Sequence, residues 1–423
     1  MSLPMTTDVS TVRWHIAHRF RHVLLADGRL PLADWLRDGT ATVVKDGPHR
    51  AVYRVCLPGL DCHIKHYRLL GWRSRIRQMI RPNKARREAA IAAELKSRGI
   101  PTPNPIGWGV EGNGVGPAAS WLIAETVADA APLVAFIETT LTGLSPTELA
   151  RMRQRLAHEM GGFIAGLHAA GVVHHDLHPG NLLVRQGADG SPHFWLIDLH
   201  AVSLGSPCPW ATRRANLIVF NRYFQLRASR SDRLRFWRAY VASSQALFPG
   251  SANTAAVELE RETERSNLQF WQARDARCRH TNRYYKRVRS DLVRGHAVRD
   301  FDASALTANP DEPLERPGVR TLKNSRSSTV VEMDATVGGT TRRVIYKRFA
   351  VTGQAERFLA LGRPTAALRS WVFGHGLRER GLPTARPLAV FHRIRNGLPA
   401  KGYLLTEKIE SAVDLHGFLR RLA

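Results

Sequence analysis

The sequence predicts an α+β chain in which a small antiparallel sheet lobe leads into a larger helical lobe, followed by a second β-rich unit. Three observations carry this. Runs of β-branched and aromatic residues, TVVKDG, RAVYRVCL and DCHIKHYRL, fill residues 41–67 between Gly and Pro turn signals. A pattern of helical type, rich in Arg and aromatic residues, occupies about 216–295. The sheet lobe then recurs. IKHY (64–67) is matched by YKRF (346–349), GIPTPNPIG (99–107) by GLPTARPLA (381–389) and WLIAET (121–126) by YLLTEK (403–408), all at an offset of 282 residues. Upstream, VVKDGPHRAVYRV matches TLKNSRSSTVVEM with a hairpin of different length between.

Taken in order, residues 1–39 read as an N-terminal extension. KARREAAIAAELKSR (84–98) is a helix that stops at Gly99 and PTPNP. WLIAETV (121–127) is a buried strand and the connection between lobes. A helix over 147–170 ends at Ala170-Gly171, VVHHDLHPGNLLV (172–184) is a loop between two short strands, and FWLIDLH (194–200) is another strand. Residues 301–318 read as a linker. The organisation is thus a two-lobed domain over 40–300, with lobes 40–127 and 128–300, and a second, incomplete sheet lobe over 319–423.

Composition narrows the setting. The 423 residues are 43% hydrophobic with a net charge of +26, which predicts a polyanionic neighbour: nucleic acid, an anionic membrane or a phosphorylated substrate. No nucleic-acid reader motif is recognisable, so no specific nucleic acid is expected. The four cysteines lack metal spacing and fit a reducing compartment. The N-terminus has no signal-type apolar core, and no run of eighteen apolar residues occurs. The expected location is cytoplasmic, peripheral on the inner face of the cytoplasmic membrane.

Within the two-lobed part, four chemical elements stand in order. A strand lysine, Lys65, precedes a helix bearing Glu88; Asp176 and Asn181 follow, five apart in HHDLHPGN; Asp198 ends a strand. Phosphoryl transfer from ATP needs such a set. A lysine neutralises the α/β-phosphates and a helix carboxylate holds it. An aspartate accepts the proton of the attacking hydroxyl, while an asparagine and a second aspartate hold Mg²⁺. That order is the plan of a protein-kinase-like fold. Glu94 lies on the same helix as Glu88; Glu88 is favoured because it sits nearer the helix start. His174, His175 and His178 do not have zinc-site spacing.

CHIKHYR, RGIPTPNPIG and HHDLHPGNLLV…WLIDLHAV resemble the lipopolysaccharide kinase family over about residues 40–245. The resemblance implies ATP- and Mg²⁺-dependent phosphorylation of a Kdo or heptose sugar of the lipid A–core region, or of a similar glycolipid. It assigns Lys65 to phosphate binding, Glu88 to the lysine pair, Asp176 to the catalytic base and Asn181 with Asp198 to the metal. Backbone near Glu125–Val127 is expected to meet the adenine. Departures from protein kinases are plain. The nucleotide loop KDGPHR has one glycine, the usual His-Arg-Asp reads His174-His175-Asp176, and Asp-Phe-Gly reads Asp198-Leu199-His200. They favour a lipid-linked or small-molecule sugar over a peptide. A non-catalytic, membrane- or partner-binding module of the same shape is the competing reading.

Residues 68–87 carry eight Lys/Arg and no acid, with Trp72, Ile76, Met79 and Ile80 at helical spacing, and are expected on anionic lipid. The aligned stretch of the second copy, 350–369, has three Arg and one Glu. That copy keeps Lys347 at the lysine position but has Ser370 where Glu88 stood.

Overall fold

The computed structural model describes residues 12–69, 83–112, 118–244, 250–350, 363–395, 398–413 and 418–420. The basic stretch expected on lipid therefore lies, over 70–82, outside the described residues. The chain divides into two units, Met1–Ser266 and Asn267–Ala423.

In the first unit, β2 (Ala41–Asp46), β3 (Arg50–Leu57) and β4 (Leu60–Tyr67) form the meander that the turn residues predict, joined to β5 (Pro105–Glu111) and β6 (Ser120–Glu125). Alternation decides which side chains face which way: Ala51, Tyr53 and Val55 are buried on β3, Cys62 and Ile64 on β4. The sheet closes on β1 (Val12–Ile16), giving the order β1-β5-β6-β4-β3-β2, antiparallel at every pair. Residues 12–38 are thus part of this lobe rather than an extension before it. Two short helices, α1 (His18–Leu24) and α2 (Leu32–Asp38), bury Leu24 and Trp35 in one cluster with Tyr53, Val55 and Ile64. Gly109 makes the fit of β1 possible, because a Cβ there would stand 2.5 Å from the Trp14 ring.

α3 (Lys84–Ser97) begins where Asn83 accepts hydrogen bonds from the Ala85 and Arg86 amides. Its buried stripe, Ala85, Glu88, Ala89, Ile91, Ala92 and Leu95, follows helical spacing and includes one carboxylate. The helical lobe, which also carries the short strands β7 (Ala131–Pro132), β9 (Leu182–Gln186) and β11 (Val202–Leu204), is built on α4 (Pro146–Ala169), which starts at a capping box between Ser145 and Glu148. α5 (Trp210–Phe224), α6 (Arg230–Ser243) and the first part of α7 (Ala252–Asp275) pack with it around Ile164, Leu217, Phe220 and Tyr240. At the end of α4 the chain reverses at Gly171, φ +70°, where a Cβ would meet the Gly205 carbonyl at 2.1 Å. A small antiparallel sheet lobe ahead of a larger helical lobe is the protein-kinase-like arrangement.

The second unit is organised around a seven-stranded antiparallel sheet. It contains β12 (Tyr285–Arg289), β13 (Val293–Val298), β14 (Arg320–Asn324), β15 (Ser328–Val337), β16 (Thr340–Ala350), β17 (Pro387–Arg395) and β18 (Leu398–Glu407), in the order β12-β13-β17-β18-β16-β15-β14. With β12 set aside, this is the strand order of the first sheet. Two expectations are corrected here. The helical reading to 295 fails at β12 and β13, because an edge hairpin buries only alternate residues such as Tyr285 and shows its arginines to solvent. The stretch 301–318 is no free linker: it holds α8 (Ser304–Ala308) and α9 (Glu312–Glu315). Buried Asp311 pins it to the sheet through Arg348 (3.1 Å), Arg393 (3.2 Å), Lys401 (3.0 Å) and the Tyr403 hydroxyl (3.0 Å). α10 (Ala366–Glu379) packs on the sheet through buried Ala367, Trp371 and His375. The division between units accordingly falls at 266/267 and not near 300.

Candidate active site

Lys65 reaches from β4 toward α3, where its Nζ donates to Glu88 Oε1 at 2.5 Å and to Asp198 Oδ1 at 3.2 Å. Glu88 is 2% exposed, and the Tyr67 hydroxyl donates to its second oxygen. A buried carboxylate needs such company, since an unpaired one would be strongly destabilising. Glu94 instead faces outward and pairs with Arg98 at 2.9 Å, so the lysine partner is Glu88. Burial alone favours the neutral amine of Lys65, but the Glu88 and Asp198 charges outweigh it and raise its pKa. Burial also pushes the Tyr67 phenol up, and the neighbouring Glu88 charge adds to the effect, keeping the hydroxyl a donor.

Asp198 follows β10 (Pro192–Leu196) in a left-handed conformation, φ 59° and ψ 48°, uncommon for a residue with a Cβ. Its carboxylate is gripped by two cations. Arg50 NH1 lies 2.8 Å from Oδ1 and NH2 3.2 Å from Oδ2, with Lys65 as the second. Burial opposes ionisation, yet the Lys65 charge and the Arg50 hydrogen bonds prevail and hold Asp198 well below the usual carboxylate range.

The loop after β8 (Val172–His174) is stitched to the backbone of Ile197, the residue before this carboxylate. His174 is 1% exposed; its Nδ1 accepts from the Asp176 amide (3.2 Å) and its Nε2 meets the Ile197 carbonyl (3.3 Å). The Ile197 amide in turn donates to the Asn181 carbonyl at 2.9 Å. Behind the loop runs a buried polar chain: Asn216 Nδ2 donates to the His174 carbonyl (2.7 Å), His168 Nε2 meets Asn216 Oδ1 (3.2 Å) and His168 Nδ1 meets the Tyr240 hydroxyl (2.9 Å). Burial lowers His168 to about 4, so this chain stays neutral near pH 7. Asn181 is buried and its Nδ2 donates to the Asp176 carbonyl at 2.7 Å, leaving Oδ1 as the oxygen suited to a metal. The Asp176 side chain is 71% exposed, 3.7 Å from His178 Nε2. The three loop histidines have separate tasks: His175 bonds Ser203 at 3.0 Å and His178 accepts from the Gly180 amide at 3.0 Å. Among the described residues no cluster of three His, Cys, Asp or Glu forms a metal cage.

Lys65, Glu88, Glu125, Val127 and Asp198 line one cleft of about 780 Å³, with Gly180 of the loop at its edge. Asp176 and Asn181 do not line it; the hydrogen bonds above tie them to it.

Residues 42–240 match the lipopolysaccharide kinase (Kdo/WaaP) family. Those residues are just under half of the chain, and over them it is similar to that family. A 3-deoxy-D-manno-octulosonic acid kinase of Pasteurella multocida is 27% identical over 163 residues, covering 38% of this chain and 62% of that protein. The EKC/KEOPS complex subunit bud32 of Aspergillus oryzae is 32% identical over 111 residues, 24% of this chain and 41% of that protein. The chain thus spans less than two thirds of the length of both curated relatives. Among solved structures, WaaP in complex with acyl carrier protein is 21% identical with a TM-score of 0.42, covering 60% of this chain and 98% of that one.

In this segment, sequence reasoning missed Arg50. The signal was present in the strand period. Val52 is the cross-strand partner of Lys65, so Arg50, two residues earlier, shares its face and reaches the cleft from the hairpin that carries a single glycine.

Proposed function

We propose that the first unit is an ATP-dependent kinase that phosphorylates a hydroxyl of a lipopolysaccharide core sugar, Kdo or heptose, or of a similar glycolipid. The observation that carries this is the convergence of Lys65, Arg50 and Asp198 in one cleft beside the loop that holds Asp176. The adenine edge would meet the backbone at Glu125–Val127. The amides of Glu125 and Thr126 are engaged by the Asn104 and Asp61 carbonyls at 2.9 Å each, which makes the Val127 amide the donor for the base. Lys65, held by Glu88, balances the α/β-phosphates. Arg50 is placed to exchange Asp198 for the γ-phosphate, standing in for the backbone amides of a glycine-rich loop. A Mg²⁺ held by Asn181 Oδ1 and Asp198 would neutralise phosphate charge. Asp176 accepts the proton of the sugar hydroxyl as its oxygen attacks the γ-phosphorus and the bond to the ADP oxygen breaks. Among the described residues no helix is long and apolar enough to cross a membrane. Contact with an anionic membrane belongs to the proposal through the basic segment 68–87.

The test is transfer of labelled phosphate from ATP to purified lipid A–core acceptors lacking phosphate on Kdo or on heptose. Labelling of one acceptor that depends on Asp176 supports the reading; no labelling of any sugar acceptor overturns it. One observation favours a second reading, a non-catalytic module: Arg50 bonds both oxygens of the carboxylate a metal needs. Nucleotide binding without turnover would favour it.

A further inference from the structure

The second unit has a basic pocket of about 580 Å³ that no step of the proposed kinase reaction uses. Six arginines line it: Arg274, Arg277, Arg283, Arg299, Arg378 and Arg386. Only two carboxylates, Asp300 and Glu379, stand among them. Each is already engaged: Asp300 takes both oxygens to Arg386 NH2 at 2.8 Å, and Glu379 pairs with Arg274 at 2.5 Å. Among the described residues no ion pair engages Arg277, Arg283, Arg299 or Arg378. Four exposed guanidinium groups therefore share the pocket without a carboxylate, two of them also donating to backbone carbonyls (Arg299 to Asn282 and Arg378 to Thr384), a concentration of positive charge that favours an anion.

A second observation is independent of the charge. His375 of α10 lines the same pocket and is 8% exposed, and its Nε2 has no hydrogen-bond partner. Its Nδ1 lies 3.3 Å from the Tyr285 hydroxyl. With that hydroxyl donating to Nδ1, the ring proton sits on Nε2, a donor in want of an acceptor. Burial, with Arg378 and Arg386 nearby, lowers His375 to about 3, so the ring is neutral and does not add to the repulsion.

The charge is not demanded by the fold. At the 282-residue offset, Arg386 stands where the first sheet has Asn104, and Glu407 where it has Glu125. Asn104 and Glu125 make a hydrogen bond of 2.9 Å there; Arg386 and Glu407 pair at 3.3 Å here, with a cation gained. The hairpin arm that supplies Arg283 and Tyr285, β12 and the turn before it, has no counterpart in the first sheet.

We propose that this pocket binds a phosphoryl or pyrophosphoryl oxyanion, borne by a soluble molecule or by a lipid headgroup. Guanidinium forks match such oxygens in pairs.

The experiment uses the full chain carrying Lys65→Met and Asp198→Ala, so that the cleft of the first unit does not contribute. Inorganic pyrophosphate binding is measured by calorimetry, and binding to phosphatidylcholine vesicles with and without phosphatidic acid by co-sedimentation. The test variant adds Arg277→Gln and Arg283→Gln, both exposed positions. A charge-matched control adds Lys323→Gln and Arg326→Gln at the β14–β15 hairpin. Expected is saturable binding of at least one probe, weakened about tenfold or more by the test pair and by less than about twofold by the control. Pyrophosphate alone identifies a soluble ligand, and phosphatidic acid vesicles alone a headgroup. Binding of neither probe, or equal weakening by both pairs, overturns the proposal. Because the cleft is silenced throughout, failure here leaves the kinase reading untouched.

Discussion

The two sheets share the order of six strands and part company at one lysine. Lys65 in the first faces Glu88 and Asp198, with Tyr67 bracing the glutamate. Lys347 in the second occupies the same register, but Ser370 replaces Glu88 and Phe349 replaces Tyr67. Its ammonium lies over the Phe349 ring at 4.4 Å, and burial together with Lys323 lowers its pKa, the reverse of Lys65. Carboxylate and supporting hydroxyl are missing together, which is what physics requires of a buried cluster: one member without the others would be left unsatisfied. The outer faces differ as well. The first is covered through Leu24 and Trp35, the second through the Asp311 anchor. The lesson is that this sheet does not need its charged cluster to fold, which supports the chemical role proposed for the cluster in the first unit.

The largest expected effect concerns the loop that the first unit has beside its lysine. Asp176→Ala should lower kcat by about 10²–10⁴-fold while changing the KM for ATP by about twofold or less, read from steady-state kinetics. An equal loss in both parameters would make Asp176 a binding group instead.

Next come variants that rewrite the first cluster as the second. Glu88→Ser leaves Lys65 beside a vacated buried site. It should cost about 3–5 kcal/mol of stability, seen as a lower Tm, and roughly 10²-fold in kcat/KM. Tyr67→Phe removes only a donor and should cost about 1–2 kcal/mol with activity reduced a few-fold. Should Glu88→Ser prove as stable as the parent, the comparison loses its energetic basis.

A pH measurement sharpens the role of Arg50. The pKa of Asp198 is depressed in the folded state, so its ionisation stabilises the fold above the unfolded carboxylate range near 4, and that stability is lost as pH falls through the lower folded value. Arg50→Gln lets the folded pKa rise. The variant should be less stable than the parent at pH 7, and the difference should narrow as pH drops below about 4 in denaturant titrations. A pH-independent difference would mean that Arg50 acts by packing.

Much of this was legible beforehand, and the rest was hidden for definable reasons. Lys65, Asp176, Asn181 and Asp198 stood out because polar residues interrupt apolar runs at fixed spacing, and the repeat fixed the second sheet. Arg50 was hidden because glycines are the conspicuous signal of a nucleotide loop, whereas the strand period that aligns Arg50 with Lys65 depends on the register of the β3–β4 pair. The hairpin at 285–298 was hidden by arginines on its exposed face. The part that 12–38 plays in the first sheet was hidden because its match to the second unit is only four residues long. VRWH (12–15) and VRGH (293–296), 281 residues apart, carry the signal that β1 and β13 are equivalent strands, β13 being covered at its outer side by β12.

The smallest expected effect is at Ser370. Ser370→Glu gives Lys347 a carboxylate, yet phosphoryl transfer should stay within about twofold of the parent, because no aspartate corresponding to Asp198 faces Lys347 among the described residues.

The contrast between the lysines is tested most directly by one side-by-side assay: phosphoryl transfer from MgATP to a lipid A–core acceptor by the parent chain, Lys65→Met and Lys347→Met. The account predicts a loss of about 10²-fold or more for Lys65→Met and parental rates for Lys347→Met. Parental rates for Lys65→Met, or a comparable loss for Lys347→Met, would contradict it.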